Sequence, residues 1–376
     1  MKGLGTELFH EDRLIRFRPA LEQSPMEWSR LMKRSRILLT LAATAFIIVA
    51  WGAAHRIHAA DTINMADGSQ ISGDVVSMTR NGVSFRRGNS TSVIPTNEID
   101  RVRYESEPAS FRSAREHVDD GRYEDAMIIL ITLNSDRSNL VRAELKQELD
   151  FYIAFCLGRQ ALTGQGDIRE AGSTAIAFLQ NNPENYRYLA VSELVGDLLV
   201  ASGDFATAQT YYANLLDAPW PDYEMRAHNS VGRAQLAQGD TVEARSSFQR
   251  VVDSTENDVL AQREKSMAIL GLARCFAAEN NTSQAISLAQ QVIDSATNDQ
   301  TELLAAGYNT LGLALRKADQ PRDAVIAFLH VELLYFRSRS EYIESMQNLV
   351  ELWNELSIPE RANEAAATLR DRYGIQ

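Results

Sequence analysis

The sequence predicts a mainly α fold, an α-solenoid of antiparallel helix pairs over residues 107–376, led by a small all-β, barrel-like module over residues 61–106. Two observations carry that expectation. A turn followed by an alanine returns seven times at near-regular spacing, and the stretch before the first copy is a series of short alternating segments separated by hairpin dipeptides. A third observation bears on where such a protein works: residues 37–54 are an uncharged apolar run behind a basic cluster.

The apolar run comes first in the chain. Residues 37–54 read ILLTLAATAFIIVAWGAA, and Arg30, Lys33, Arg34 and Arg36 stand before them. Read from Met32, residues 32–60 have the basic, apolar and small-residue zones of a secretory signal that ends near Ala60. Read from Met1, residues 1–31 form a leader and the same run is about long enough to anchor the chain across a bilayer with its basic end inside. Met1, Met26 and Met32 are all candidate starts. Both readings place residues 61–376 outside the cytoplasm, periplasmic, secreted or held at the cytoplasmic membrane. No cysteine follows the run, which excludes a bacterial lipid anchor at that point.

Composition narrows the function. With 376 residues, 45% hydrophobic and 23% charged, the chain is in the range of ordinary folded proteins. Its net charge is −12, and residues 61–376 alone hold 29 basic and 45 acidic residues. A body that acidic repels nucleic acid unless it carries a segregated basic face. Cys156 and Cys275 are the only cysteines, which excludes a disulfide framework or a multi-cysteine zinc site; both read as buried small apolar residues.

From Asp61 to Tyr104 the segments DTINM, QISGDVVSM, VSFR, TSVIP and IDRVRY alternate with Asp67-Gly68, Asn81-Gly82 and Gly88-Asn89. Such pairs supply positive φ in hairpin turns, and period-2 apolar positions such as Val83 and Phe85 predict five strands in a small antiparallel barrel or rolled sheet. The module resembles SH3-like or Sm-like small barrels in strand count and turn placement. That fold serves many functions, and the plain reading is a cap or spacer.

After Glu107-Pro108 the pattern becomes helical. The recurring turns end at Ala126, Ala171, Ala208, Ala244, Ala285, Ala324 and Ala362, with intervals of 45, 37, 36, 41, 39 and 38 residues. Each interval holds one helix pair, which needs about 34 residues. Alanine lets the two helices of a pair approach closely after their turn. Gly121, Gly166, Gly203, Gly239 and Asn280, five residues earlier, are placed to stop the first helix in the left-handed conformation. Pro321 and Pro359 suit the start of a second helix. Twelve residues before the alanine stand small residues, Ala114, Gly196, Gly232, Ala273 and Gly312, that make room from the opposite helix. Four and seven residues after it, Leu130 and Leu133, Phe248 and Val251, or Phe328 and Val331 fall on one core-facing side.

On these residues the chain resembles the tetratricopeptide repeat family over residues 107–376, in about seven units. Departures are the long spacing, Gly158 displaced by one with the lengthened turn TGQGD in unit 2, and Val350 at the small position of unit 7. The resemblance implies a curved scaffold whose inner face, made mostly by first helices, grips peptide segments of other proteins. Counting each alanine as position 20, it also places positions 2, 5, 9, 12 and 13 on that face. In units 4–6 these are Arg226, Asn229, Arg233, Arg274, Asn309, Arg316 and Lys317, with no acid among them; units 3 and 7 contribute Glu193, Asp197, Glu344, Glu351 and Glu355. A basic, amide-bearing strip of this kind suits a carboxylate or an extended peptide backbone. The plain alternative is that helix surfaces carry charge somewhere.

Little in the sequence points to catalysis or a cofactor. His117, His228 and His330 fall in different units and form no metal-ligand spacing, and no nucleophile, dinucleotide or P-loop motif occurs. Tyr211-Tyr212, Tyr335-Phe336 and Trp353 read as core, and Trp220-Pro221 as an exposed loop. The expected function is therefore a non-enzymatic, exported or anchored scaffold that binds protein partners without a cofactor. Two alternatives stay open. One is a structural part of a cell-envelope or polysaccharide-export complex; the other is an enzyme using Glu105, Glu107, Glu116 or His117 between the β module and the first unit. Terminal units 1 and 7 are expected to be the least stable, as caps of the array.

Overall fold

The computed structural model of the chain describes residues 60–375, so the leader and the apolar run lie outside the described residues. Among the described residues no helix is long and apolar enough to cross a membrane.

Five strands open the described chain: β1 (Asp61–Met65), β2 (Gln70–Thr79), β3 (Gly82–Arg87), β4 (Ser90–Pro95) and β5 (Ile99–Arg103). All pairs are antiparallel, in the order β4-β3-β2-β1-β5. In this hydrogen-bonded order β4 and β5 are the two ends of the small antiparallel sheet. Gly68 and Gly88 adopt positive φ, 83° and 58°, as their dipeptides predict. Gly82 does not; it provides room instead, since a Cβ there would sit 2.7 Å from Val93 Cγ1. Val83 and Phe85 point inward with Ile63, Val75 and Val102, and this side of the sheet is continuous with Phe111, Leu145, Leu149, Phe151 and Val191 of the helices. The β module and the first units therefore share one core.

Fourteen helices follow in seven pairs. They are α1 (Ala109–Asp119) with α2 (Tyr123–Ser135), α3 (Ala143–Leu162) with α4 (Ile168–Asn181), and α5 (Tyr188–Ala201) with α6 (Phe205–Ala213). Next come α7 (Pro221–Gln238) with α8 (Thr241–Val252), and α9 (Val259–Ala278) with α10 (Thr282–Ser295). The last pairs are α11 (Thr301–Lys317) with α12 (Pro321–Leu334), and α13 (Arg339–Glu355) with α14 (Pro359–Tyr373). First helices of successive units pack on one another from α3 to α13, which makes them the inner face.

The turns repeat in atomic detail. In six of the seven units the amide four residues before the alanine donates to the carbonyl nine before it, as in Arg122 to His117, Asp240 to Gln235 and Ile358 to Trp353, at 2.8–3.0 Å. This is the helix-ending six-to-one bond that needs a left-handed residue beside it. Gly121, Gly203, Gly239 and Asn280 supply that conformation, and Asp319 and Ser357 do so in units 6 and 7. In unit 2 the left-handed residue is Gly164, not Gly166, because the longer turn moves the stop two residues back.

All seven alanines are buried, at 2% exposure or less. The small residue on the opposite helix makes room for a ring and not for the alanine itself. A Cβ on Gly196 would lie 2.3 Å from Tyr212, on Gly232 2.8 Å from Phe248, and on Gly312 2.7 Å from Phe328, each ring standing four residues after its alanine. Phe248 is also faced by Gly271 of the next unit, at 2.5 Å from its would-be Cβ. Gly232→Ala and Gly271→Ala are each expected to destabilise by about 1–3 kcal/mol through overpacking, against which improved helix propensity returns about 1 kcal/mol. Urea unfolding measures this, and adding Phe248→Leu to Gly232→Ala should recover part of the loss. Phe336, read as core, is instead 55% exposed, because the chain has left α12 at Leu334 before reaching it.

The ends of the array meet. Arg339, the first residue of α13, is 4% exposed and donates to the Gly121 carbonyl at 2.8 Å, to both Glu124 oxygens at 2.8 and 2.6 Å, and to Gln165. Its guanidinium lies between the Tyr123 and Tyr373 rings, 5.0 Å from each centroid. Units 1 and 7 are thus not simple exposed caps: unit 1 is covered by the sheet on one side and by unit 7 on the other. Cys156 and Cys275 are buried and unbonded to each other, with burial pushing both thiols up to about 12 and about 11.

Candidate functional site

The inner face holds the residues that the sequence points to, and its geometry follows from helix length. The spacing beyond 34 residues goes into first helices of 17 to 20 residues in units 2 and 4–7. In units 4, 5 and 7 the added turn at the N-terminal end carries Asp222, Glu264 and Glu341, acids that lie just before the positions counted from the resemblance. Each faces the neighbouring element.

On α7, Arg226 Nε donates to Glu193 Oε2 at 2.6 Å, Ser230 Oγ to Glu193 Oε1 at 2.7 Å, and Arg233 Nη2 to the same oxygen at 3.2 Å. Arg233 also stands 3.5 Å from Asp197. Burial alone would raise Glu193, yet Arg226 and Arg233 hold it at about 2. Asp197 is raised, chiefly by burial. Arg274 on α9 reaches past unit 6 to form a two-pronged pair with Glu344 of unit 7 at 3.0 and 2.9 Å, and donates to Thr310 at 3.1 Å. Arg316 pairs with Glu351 and Glu355, both at 2.6 Å. Lys317 is exposed and joins none of these pairs.

The arginines of the expected basic strip are therefore already neutralised by acids of adjoining units. First helices lie side by side, so an acid at position 2, 5 or 9 of one unit falls opposite an arginine of another. The strip is a mixed ion-pair lattice, not an open row of cationic donors.

Asn229 and Asn309 share position 5 of their units and make the same contact. Asn229 Nδ2 donates to the backbone carbonyl and carboxylate of Glu264, at 3.0 and 2.8 Å, and Asn309 Nδ2 to those of Glu341, at 2.9 and 2.7 Å. Both partners are acceptors, so the carboxamide orientation is fixed. Each asparagine staples one first helix to the next. Asn229 is 1% and Asn309 0% exposed, and among the described residues neither Oδ1 has a hydrogen-bond partner. Glu264 is raised by burial, and burial, with Glu344 beside it, pushes Glu341 up to about 7.

Two cavities follow this lattice. One, of about 370 Å³, is walled by Leu236, Phe248, Met267 and Leu270 and rimmed by Asn229, Arg233, Arg274, Thr310, Glu341 and Glu344. The other, of about 460 Å³, lies where the β1–β2 turn and the Thr96–Asp100 segment face α5, α7 and α9, among Arg187, Asp222, Arg226 and Glu264. Glu264 lines the second and accepts from Asn229, which lines the first. The β module thus stands at one end of a row of two cavities along units 4–6, referred to below as the groove. Asn97 Nδ2 donates to Asp222 at 3.0 Å across that end, and burial raises Asp222.

The residues of the enzyme alternative differ in burial and partners. Glu107 is buried and paired with Arg115 at 3.1 Å, its carboxyl pushed up by burial, while Glu105 and Glu116 are exposed. Arg115 bridges from Glu107 to Glu148, which also accepts from the Tyr186 hydroxyl at 2.8 Å, so this cluster joins the β module to units 1–3. Neither cavity above includes any of the four. Among the described residues no group of three histidines, cysteines or carboxylates is disposed to hold a metal ion.

Fold and groove together define an α-solenoid of helix pairs, the class of repeat scaffold whose extended inner surface is its working face. Sequence models of the tetratricopeptide repeat match residues 196–259 and 267–298. The array thus carries tetratricopeptide repeats, and an antiparallel sheet precedes it. Among solved structures it is similar to a Rap protein complexed with competence and sporulation factor, at 14% identity and a TM-score of 0.52, over 70% of this chain and 74% of that one. Such a likeness is one of fold. A tetratricopeptide repeat protein from Parabacteroides merdae is similar at 14% identity, TM-score 0.38, over 68% and 97% of the two chains. PilW, a type IV pilus biogenesis factor, is similar at 16% identity, TM-score 0.37, over 60% and 94%. No sequence among curated proteins matches.

Proposed function

We propose that this protein is an exported or membrane-anchored, non-enzymatic scaffold that holds an extended segment of a protein partner along the inner face of units 4–6. The observation that carries the reading is the row of two cavities from the β module to the Arg274–Glu344 pair, one of them lined by Asn229, whose buried acceptor oxygen is unpaired. Leaving such an acceptor buried and unpaired costs about 1–3 kcal/mol, and a peptide donor relieves it. Arg226 lines the cavity beside the β module and Asn229, Arg233 and Arg274 line the other, while Asn309 is buried on α11 and Arg316 and Lys317 lie further along that helix. The tetratricopeptide repeat class and the Rap structure, which is a complex with a bound factor, support this reading. The apolar run over residues 37–54 and its basic flank support export or anchoring.

In-cell crosslinking of the full-length protein, with identification of what is attached and of the mature N-terminus, tests both parts. A mature start at Asp61 with a reproducible partner segment in the groove is the expected result for a cleaved signal, and an intact residue 37–54 segment in the membrane fraction for an anchor. Accumulation in the cytoplasm with no groove crosslink would contradict the reading.

A further inference from the structure

The lattice of the inner face leaves three acids without an ion-pair partner against one such cation of the strip, Lys317 at its far end. Arg226 and Arg233 are matched by Glu193 and Asp197, Arg274 by Glu344, and Arg316 by Glu351 and Glu355. Asp222, Glu264 and Glu341 have no cation within ion-pair distance among the described residues; each is met by an asparagine, Asn97, Asn229 or Asn309. Three partly buried carboxylates thus follow the groove from the β module to unit 7 without an ion-paired cation, the nearest arginines being committed to other acids.

A second observation is independent of the acids. Asn229, 1% exposed, lines the 370 Å³ cavity together with Glu341, and its Oδ1 is an acceptor with no partner. An anionic or acceptor ligand cannot satisfy it; a donor can. The walls beside it, Leu236, Met267 and Leu270, are apolar and suit an alkyl chain. Arg233 and Arg274 on the rim are held by their own acids and so do not leave a free positive field.

Resting on the groove reading above, we propose that the segment held there is basic. A lysine of the partner lies with its alkyl stem along Leu236, Met267 and Leu270 and its ammonium between Asn229 Oδ1 and Glu341, and further cationic residues face Glu264 and Asp222. This reverses the sign expected from the sequence, where the arginines suggested an acidic or carboxylate-bearing partner. Lysine and arginine present only donors at their ends, which is what an unpaired carboxamide oxygen and an unpaired carboxylate need. Long cationic side chains also bury their stems while keeping the charge paired.

The test is fluorescence anisotropy of the full chain at physiological ionic strength with two labelled peptides. One carries lysine at alternate positions among alanine and leucine, and the other carries glutamate at those positions. The basic peptide is expected to bind at least about ten-fold tighter. Glu264→Gln with Glu341→Gln, which keeps the asparagine contacts, is expected to remove about that factor. Glu360→Gln with Glu364→Gln removes the same charge from exposed positions on α14 and is expected to leave affinity unchanged. Equal losses in the two double variants would reduce the effect to general attraction by an acidic protein and overturn the proposal. Tighter or equal binding of the acidic peptide would overturn it while leaving the groove reading intact. Binding of neither peptide would overturn both.

Discussion

Glu148→Ala is expected to cost the folded chain about 3–5 kcal/mol, the usual range for breaking a buried ion pair from one side. Glu148 is 0% exposed and sits among Arg115, at 3.1 Å, the Tyr186 hydroxyl, at 2.8 Å, and Arg187, at 3.9 Å. Removing it leaves Arg115, itself 3% exposed, with Glu107 as its one carboxylate and takes away the acceptor of the Tyr186 hydroxyl, which keeps only the Val102 amide at 3.4 Å. The cluster joins β5, through the Val102 carbonyl that Arg115 holds at 3.0 Å, to α1, α3 and the segment before α5. Loss of Glu148 should therefore loosen the sheet from the array as well as lower the unfolding midpoint in urea. Glu148→Gln, which keeps the shape and one acceptor, should lose less. Equal midpoints for wild type and Glu148→Ala would show that the junction does not depend on this charge.

Arg339→Ala is the second large effect expected, about 2–4 kcal/mol, because Arg339 is buried while its partner Glu124 is half exposed and can recover water. Its further signature is geometric. One guanidinium holds the Gly121 carbonyl, Glu124 and Gln165, groups in units 1 and 2, from the first turn of unit 7. Arg339→Lys should fail to restore it, since an ammonium lacks the planar fork that serves these acceptors together. Small-angle scattering should show a larger radius of gyration for Arg339→Ala, and amide exchange should speed up in α2, α13 and α14. Unchanged dimensions and exchange would mean that the two ends meet for other reasons.

The sequence made the repeat legible because its cause is local and recurs. Ala126 and its six equivalents sit where two helices cross, and the turn residue five before all but Ala171 is left-handed, so both constraints mark the chain at nearly fixed offsets. Asp319 and Ser357 were not legible as turn residues, since they occupy a conformation in which a side chain is strained and only the packing around them shows it. The partners of Gly196, Gly232 and Gly312 were half legible: the need for space could be read, but its purpose, an aromatic ring four residues past the alanine, needed the crossing geometry.

The inner face was legible in membership and not in electrostatics. Position counting located Arg226, Arg233 and Arg274, yet their neutralisation depends on which residue of another unit lies opposite. For Arg274 that residue is Glu344, 70 residues away and two units on. Asp222, Glu264 and Glu341 were missed because they stand in helical turns that a 34-residue frame does not count. The signal that could have found them was the surplus spacing itself. Intervals of 36 to 41 residues require longer helices, and those helices must present something at their added ends. Contact between units 1 and 7 through Arg339 had no sequence signature, because a closing contact depends on the summed rotation of every unit between.

The most direct measurement of the central idea, that the inner face of units 4–6 holds a partner segment, is site-specific photocrosslinking in cells. A photoreactive residue is placed at Met267, inside the groove cavity, and in a second variant at Ile326, on the exposed side of α12. Crosslinks from Met267 to one defined partner segment, absent from Ile326 and lost when Glu264→Gln and Glu341→Gln are added, are the expected result. Crosslinks from Ile326 alone, or from neither position with the fold intact, would contradict it.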